Sequence, residues 1–278
     1  MPSHGDRSER EKALQLTPRY YRWYPSEAHL GYAEETVDLG LDETAFLLVD
    51  VYCAGPQQPL MERTIGDKYM QLWYDITVQN IAPALRAARA IGLPIIYVNN
   101  SAPRVALEHS AFAEKLRKSL GSDMTQDFSE PMVDPREYHQ GPAMQLQFPA
   151  AVEPQPGDHL VRKHCYSGFF DTRLDTLLRN LRVHNLICAG FVADACLFTT
   201  IADAVFRNYK VILLRDCTLA SELPHEFEGL QHTQRMVLWI ETIIGTTVTS
   251  EEFVQACDNS LESGSPAGAT AKDWPKTR

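Results

Sequence analysis

The chain has 278 residues, 44% hydrophobic and 22% charged, with a formal net charge of −10. This is an ordinary globular composition, long enough to bury a full core without disulfides. The acidic balance (pI near 5.4) and the absence of a Lys/Arg block exclude a surface built for nucleic acid or anionic lipid.

Residues 1–10 are polar and lack the apolar core of a signal peptide. No run approaches the roughly 18 apolar residues that a membrane helix needs. The six cysteines, at 53, 165, 188, 196, 217 and 257, show no CxxC spacing. Together these features predict a cytoplasmic protein with reduced thiols and no membrane partner.

Residues 1–40 alternate polar and aromatic side chains, as in Arg19, Tyr20, Tyr21, Arg22, Trp23 and Tyr24. They read as an N-terminal arm packed on something else, a second subunit among the candidates. A homo-oligomer, dimer or tetramer, is expected. Residues 41–257 read as one catalytic-size domain. Residues 258–278, rich in Ser, Gly, Ala, Pro and Thr, read as a disordered tail.

Within the domain, short apolar runs occur at 45–50, 94–99, 159–162, 185–190 and 210–215, with a weaker sixth at 245–248. Runs this short and continuous suit parallel strands buried on both faces. The segments between them carry the 3.6-residue period. Val78, Ile81, Leu85 and Ala88 share a face. Leu174, Leu177, Leu178 and Leu181 share another, after a capping-box pattern at Thr172 and Asp175. Leu197, Ile201, Ala204 and Val205 form a third; Phe227, Leu230, Val237 and Leu238 form a fourth. The pattern predicts an α/β fold of three αβα layers, with a mostly parallel, Rossmann-like sheet of six strands. Residues 100–158 break the rhythm, with a predicted helix at 110–120 and a long loop that could wall a pocket.

Function in open α/β sheets collects at the carboxyl ends of the strands. There the first run ends in Asp50, the third leads into Lys163 and His164, and the fourth runs through Gly190 to Cys196. Each has a bland reading: a loop cap, a solvated amine, a small packed thiol. Their conjunction is informative. With a helix starting near Ala195, the Cys196 thiol lies in its first turn, where free N–H groups and the dipole favour a thiolate. A nearby Lys would lower the thiol pKa further, and a carboxylate could take its proton. Such a set attacks a carbonyl and forms an acyl-enzyme. Cys165, beside Lys163, is the second candidate. Cys188 should be core, Cys217 could reach the rim, and Cys53 and Cys257 have no evident partner.

At these residues the chain resembles the isochorismatase-like cysteine hydrolases over residues 42–257. The resemblance rests on Leu48-Val-Asp50, on Lys163 ahead of Tyr166-Ser-Gly-Phe-Phe170, and on the Gly190 to Cys196 turn. It implies Asp50 as general base, Lys163 as its partner and Cys196 as nucleophile. It implies a cis peptide at Phe191–Val192 and an oxyanion hole from the Val192 and Cys196 amides. Nicotinamidases in this family carry a metal site with His just past the first strand. Residues 50–70 contain no His, so no metal and no cofactor are expected. The stretch from Lys163 is most similar to ureidoacrylate amidohydrolases, beside N-carbamoylsarcosine and biuret hydrolases. It implies C–N cleavage of a small ureide, carbamoyl or amide substrate, releasing ammonia or an amine. Two departures stand out: Asp50-Val-Tyr52 replaces the usual Asp-Met-Gln, and Asp194 replaces an Asn. A nicotinamidase-like amide hydrolase and a non-catalytic binding module stay open as alternatives. Candidate substrate contacts are Tyr52, Asn100, Tyr166 and Phe170, with Trp73 and Phe198 also near loop ends; each of the six reads more readily as a packing residue, and His164 as a satisfied loop histidine.

Overall fold

The computed structural model describes residues 13–23, 27–52, 67–100, isolated positions within 111–118, 148–223 and 225–263. Cys53, the N-terminal residues 1–12 and most of the predicted 110–120 helix with its loop to 147 lie outside them.

Ten strands and six α-helices are described. The strands are β1 (Ala13–Leu16), β2 (Arg19–Arg22), β3 (Gly31–Glu34), β4 (Val37–Gly40), β5 (Thr44–Val49), β6 (Ile95–Asn100), β7 (His159–Lys163), β8 (Asn185–Gly190), β9 (Lys210–Leu214) and β10 (Thr246–Val248). The helices are α1 (Asp67–Ile76), α2 (Ala82–Ala90), α3 (Leu174–Asn180), α4 (Cys196–Phe206), α5 (Gln231–Ile243) and α6 (Ser250–Ser263).

The main sheet has the order β3-β2-β10-β9-β8-β5-β6-β7. The six strands from β10 to β7 are parallel, and they are the six apolar runs of the sequence. Every residue of β5 and β8 is buried, because helices cover both faces. Numbered from β5, the parallel strands follow the doubly wound order 3-2-1-4-5-6. The chain moves to one side of β5 for β6 and β7, then to the other for β8, β9 and β10. The crevice between β5 and β8 is therefore the topological switch point, where ligands bind in such sheets.

Two further strands make the sheet eight-stranded rather than six. β2 adds antiparallel to β10, and β3 adds to β2. Of the stretch read as an arm, residues 13–22 and 31–40 thus carry strands, with β2 and β3 extending the main sheet of the same chain. Leu14 and Leu16 of β1 and Leu39 of β4 are buried in the core, beside Phe253 and Cys257 of α6. Arg19 Nε donates to Glu241 Oε1 at 2.8 Å, and the Glu241 side chain is fully buried. The Thr247 hydroxyl donates to the same oxygen at 2.6 Å. An aromatic pair, Trp23 and Trp239, closes the contact at 5.9 Å between ring centroids. α6 also corrects the expected tail: it packs on α2 and β1 and stays helical through residues 258–263.

Three helical expectations shift in detail. The face through Val78 and Ile81 is interrupted by a π-helical turn at Thr77–Ile81. Pro83, in the first turn of α2, supplies the reason, since its ring excludes regular α-helical bonding to the turn before it. The expected capping box does not form: the N-cap of α3 is Arg173, without a side-chain cap bond, and the Thr172 hydroxyl accepts the Leu174 N–H at 3.1 Å. Asp175 turns instead to Arg179 at 2.8 Å and to the Tyr209 hydroxyl at 2.9 Å. α5 starts at Gln231, after a 3₁₀ turn that holds Phe227, so its buried face is Thr233, Val237, Ile240 and Glu241.

Candidate active site

The switch point brings two strand ends together at very close range. Gly190 ends β8 with φ +123°, and a Cβ there would meet the Val49 carbonyl oxygen at 1.9 Å. Only glycine fits such a conformation and such an approach. The Phe191 N–H donates to that same Val49 oxygen at 2.8 Å. The next residue on the β5 side, Asp50, takes a left-handed conformation with φ +51°. Aspartate is among the few residues that enter this region readily. The turn aims its carboxylate across the strand ends instead of along β5.

There the carboxylate meets Lys163, the last residue of β7. The Lys163 Nζ to Asp50 Oδ2 distance is 2.7 Å, with side-chain exposures of 0% and 4%. Between them stands Asn100, the last residue of β6 and the register partner of Lys163. The Asn100 backbone N–H donates to Asp50 Oδ1 at 3.0 Å, and its side-chain amide donates to Oδ2 at 3.4 Å. The Asn100 side-chain oxygen accepts from Lys163, and its amide also reaches the Tyr52 hydroxyl. One side chain thus holds both members of the ion pair.

Cys196 is the first residue of α4 and is 9% exposed. Lys163 and Asp50 both act on its thiol. The three residues singled out in the sequence therefore lie within electrostatic reach of one another. Their electrostatics differ from the expected stabilised thiolate. Burial pushes the Cys196 thiol up, Lys163 pulls it down, Asp50 pushes it up again, and it stands at about 12. Burial alone would lower the Lys163 ammonium, but Asp50 and Cys196 reverse this and raise it. Both shifts favour the protonated forms of Lys163 and Cys196.

The turn from β8 to α4 holds the Phe191–Val192 peptide in the cis form. The Val192 carbonyl accepts from Ala195 N–H at 3.1 Å and from Leu197 N–H at 3.2 Å. Among the described residues, no backbone carbonyl takes the Val192 or the Cys196 N–H. Cys196 also lies where the positive end of the α4 dipole points. Beneath the turn, Trp73 of α1 stacks on Phe191 with centroids 4.2 Å apart. Behind Cys196, the Thr200 hydroxyl donates to the Cys196 carbonyl at 2.7 Å and accepts from Gly168 N–H at 2.9 Å. A Cβ on Gly168 would meet Val98 Cγ1 at 2.6 Å, so glycine lets the β7–α3 loop close on α4.

The remaining candidates separate cleanly. Tyr166 is 38% exposed, and its phenol is raised by burial and then by Cys196 and Asp194. Tyr52 is buried and braces Asn100. Phe170 is half exposed, while its neighbour Phe169 is buried against Tyr209. His164 and Trp73 are buried, and Phe198 packs against the core. Cys188, Cys217 and Cys257 are fully buried, so Cys217 does not reach the rim. Cys165 is partly buried, and burial raises its thiol too. Among the described residues, no group of three or more His, Cys, Asp or Glu is placed to hold a metal, and no helix is long and apolar enough to cross a membrane.

Sequence reasoning undervalued Asn100 and missed the loop between β9 and α5. Asn100 was readable as an amide at a strand end, but its contacts to both charges depend on β6 lying between β5 and β7. The loop gives no sequence signal; it supports the turn through backbone carbonyls, with Gly190 N–H donating to Cys217 at 2.9 Å and Ala193 N–H to Leu219 at 2.9 Å.

The family model described as Isochorismatase domain matches residues 71–244. The ureidoacrylate amidohydrolase RutB of Agrobacterium fabrum is 30% identical over 240 residues, covering 79% of this chain and 92% of the relative. A crystal structure of a cysteine hydrolase from Pseudomonas syringae superposes with a TM-score of 0.60 at 26% identity, covering 87% of this chain and 98% of the other. The N-carbamoylsarcosine amidase of Thermoplasma acidophilum shares the fold, with a TM-score of 0.50 at 24% identity over 75% of this chain and 97% of that one.

Proposed function

The chain belongs to the isochorismatase-like hydrolase family, in the branch that includes ureidoacrylate amidohydrolases, and on that premise we propose that it is a cysteine amidohydrolase acting on a small ureide, carbamoyl or amide substrate. The observation that supports this reading is the buried Asp50–Lys163 ion pair at the switch point, with the Cys196 thiol in its electrostatic reach.

Asp50 is the general base. As the Cys196 sulfur approaches the substrate carbonyl carbon, the thiol proton passes to Asp50 and the C–S bond forms. A thiol at about 12 is a poor nucleophile until this transfer occurs, so deprotonation and attack are coupled. The carbonyl oxygen becomes an oxyanion, held by the Val192 and Cys196 N–H groups. Asp50 then gives the proton to the leaving nitrogen, the C–N bond breaks, and ammonia or an amine departs. A water molecule deprotonated by Asp50 attacks the thioester, and the regenerated thiol takes that proton. The freed acid is a carboxylic acid or, from a carbamoyl substrate, a carbamic acid that loses CO2. Lys163 keeps its ammonium throughout and balances whichever of Asp50 and the sulfur carries the negative charge. Tyr166 stands where it can line the substrate.

The test is ammonia release from ureidoacrylate, N-carbamoyl amino acids, biuret and simple aromatic amides, with intact-protein mass spectrometry to trap the acyl adduct. The expected result is turnover by the parent, an adduct on Cys196, and neither in Cys196→Ala. Full turnover by Cys196→Ala would overturn the mechanism.

A further inference from the structure

Asp194 lies in the β8–α4 turn, two residues before the nucleophile, and the mechanism above gives it no task. Its contacts all run away from the reacting groups, toward the loop between β9 and α5. Oδ1 accepts from the Ser221 N–H at 3.0 Å and from the Ser221 hydroxyl at 3.3 Å. Oδ2 stands 3.4 Å from His232 Nε2 in the first turn of α5.

That loop is anchored without help from Asp194. The Tyr69 hydroxyl donates to the Ala220 carbonyl at 2.6 Å, and Ala220 N–H donates to the Thr233 hydroxyl at 2.9 Å. The Glu222 carboxylate accepts the N–H groups of His232 at 3.1 Å and Thr233 at 2.7 Å, capping α5. Asn80 donates to the Asp216 carbonyl at 2.6 Å, fixing the loop at its start. These bonds hold the described part of the loop in place, and the turn is tied to it at the Gly190 and Ala193 amides and at the Asp194 carboxylate.

Asp194 is the last of these ties before Cys196. The Thr199 and Thr200 hydroxyls bond the Ala195 and Cys196 carbonyls from within α4; among the described residues between Ala193 and Cys196, Asp194 is the side chain that ties the turn to the facing loop. An oxyanion hole works only when its donors are in place before charge develops, and small displacements cost much of the effect.

We propose that Asp194 is a positioning residue: its hydrogen bond to Ser221 N–H clamps the β8–α4 turn to the β9–α5 loop and so fixes the oxyanion donors. The proposal rests on the amidohydrolase reading for its catalytic consequence, but the clamp itself can be measured apart from turnover.

The experiment compares the parent with Asp194→Ala and Asp194→Asn. Asparagine keeps a side-chain oxygen for the Ser221 N–H; alanine does not. Amide hydrogen exchange of a peptide covering residues 190–197 reads the clamp. kcat and KM on the best substrate of the ammonia screen read the consequence. Asp194→Ala should exchange about tenfold faster in this peptide and lose roughly tenfold in kcat, with KM within about twofold, since the donors matter most in the transition state. Asp194→Asn should return both close to the parent. Unchanged exchange in Asp194→Ala, or faster exchange with unchanged kcat, would overturn the proposal. So would an Asn variant as impaired as Ala, which would make the charge and not the hydrogen bond the active feature. A parent that hydrolyses none of the amides refutes the proposed activity, and the exchange measurement still decides whether the clamp exists.

Discussion

Asp50 and Lys163 form an ion pair 2.7 Å long that is almost fully withdrawn from water. Taking two charges into the interior costs several kcal/mol, and the pair is tolerated because each charge meets the other and the Asn100 side chain. Removing one partner strands the other. Asp50→Asn and Lys163→Met should each lose activity and about 3–5 kcal/mol of stability. The double variant should regain most of the stability and none of the activity. Urea unfolding of the three proteins, run beside the ammonia assay, checks this; additive losses in the double variant would contradict it.

The Cys196 thiol gives a pH prediction. With its pKa pushed up to about 12, only about one molecule in ten thousand carries a thiolate at pH 8. Iodoacetamide should therefore modify Cys196 slowly in the free enzyme, and the rate should rise about tenfold per pH unit from 8 toward 12. Asp50→Asn removes a charge that raises the thiol and leaves Lys163, which lowers it. That variant should be alkylated faster than the parent at pH 8 while failing to turn over. Peptide mapping after timed labelling distinguishes Cys196 from Cys165.

Gly190→Ala should be among the most damaging substitutions in the chain. The new methyl would overlap the Val49 carbonyl oxygen at 1.9 Å in a backbone conformation that L side chains rarely adopt. A loss above about 3 kcal/mol is expected. Gly168→Ala presses at 2.6 Å on the Val98 methyl, a side chain that can shift, and should cost less. Thermal unfolding ranks the two.

Arg19→Ala should weaken the fold without touching the chemistry. Among the described residues, it leaves the buried Glu241 carboxylate with Thr247 alone on Oε1 and no hydrogen-bond partner on Oε2. A loss of about 2 kcal/mol is expected, with kcat unchanged. Unfolding and steady-state kinetics on the same preparation check both halves.

The sheet was legible because β5, β6, β8 and β9 are short apolar runs, and buried parallel strands have no other common reading. β2 and β3 were not legible. Their Arg and Tyr side chains suit a half-buried edge, and their place in the sheet is set by partners far along the chain: β10, and Glu241, 222 residues from Arg19. At the site, Asp50, Lys163 and Cys196 were readable from residue type at strand ends. The state of the thiol was not, because its pKa depends on how completely the fold removes water from it. Asp194 stood out as a departure, but its contacts run to a loop whose position no local pattern encodes.

Asn100 and Lys163 are register partners at the ends of β6 and β7, and this has a consequence for proofreading of the fold. Were β7 to slip by one residue, Arg162 or His164 would occupy the place of Lys163, and the side chains of the strand would exchange faces. Asp50 would then face an imidazole, or a bulkier guanidinium that does not fit the place where the compact Lys163 ammonium meets both Asp50 and Asn100. The charge pair therefore penalises a misaligned sheet in a way that the interchangeable aliphatic residues of β6 and β7 cannot. The same two charges proposed to serve the nucleophile also act as a key that accepts a single alignment of the strands.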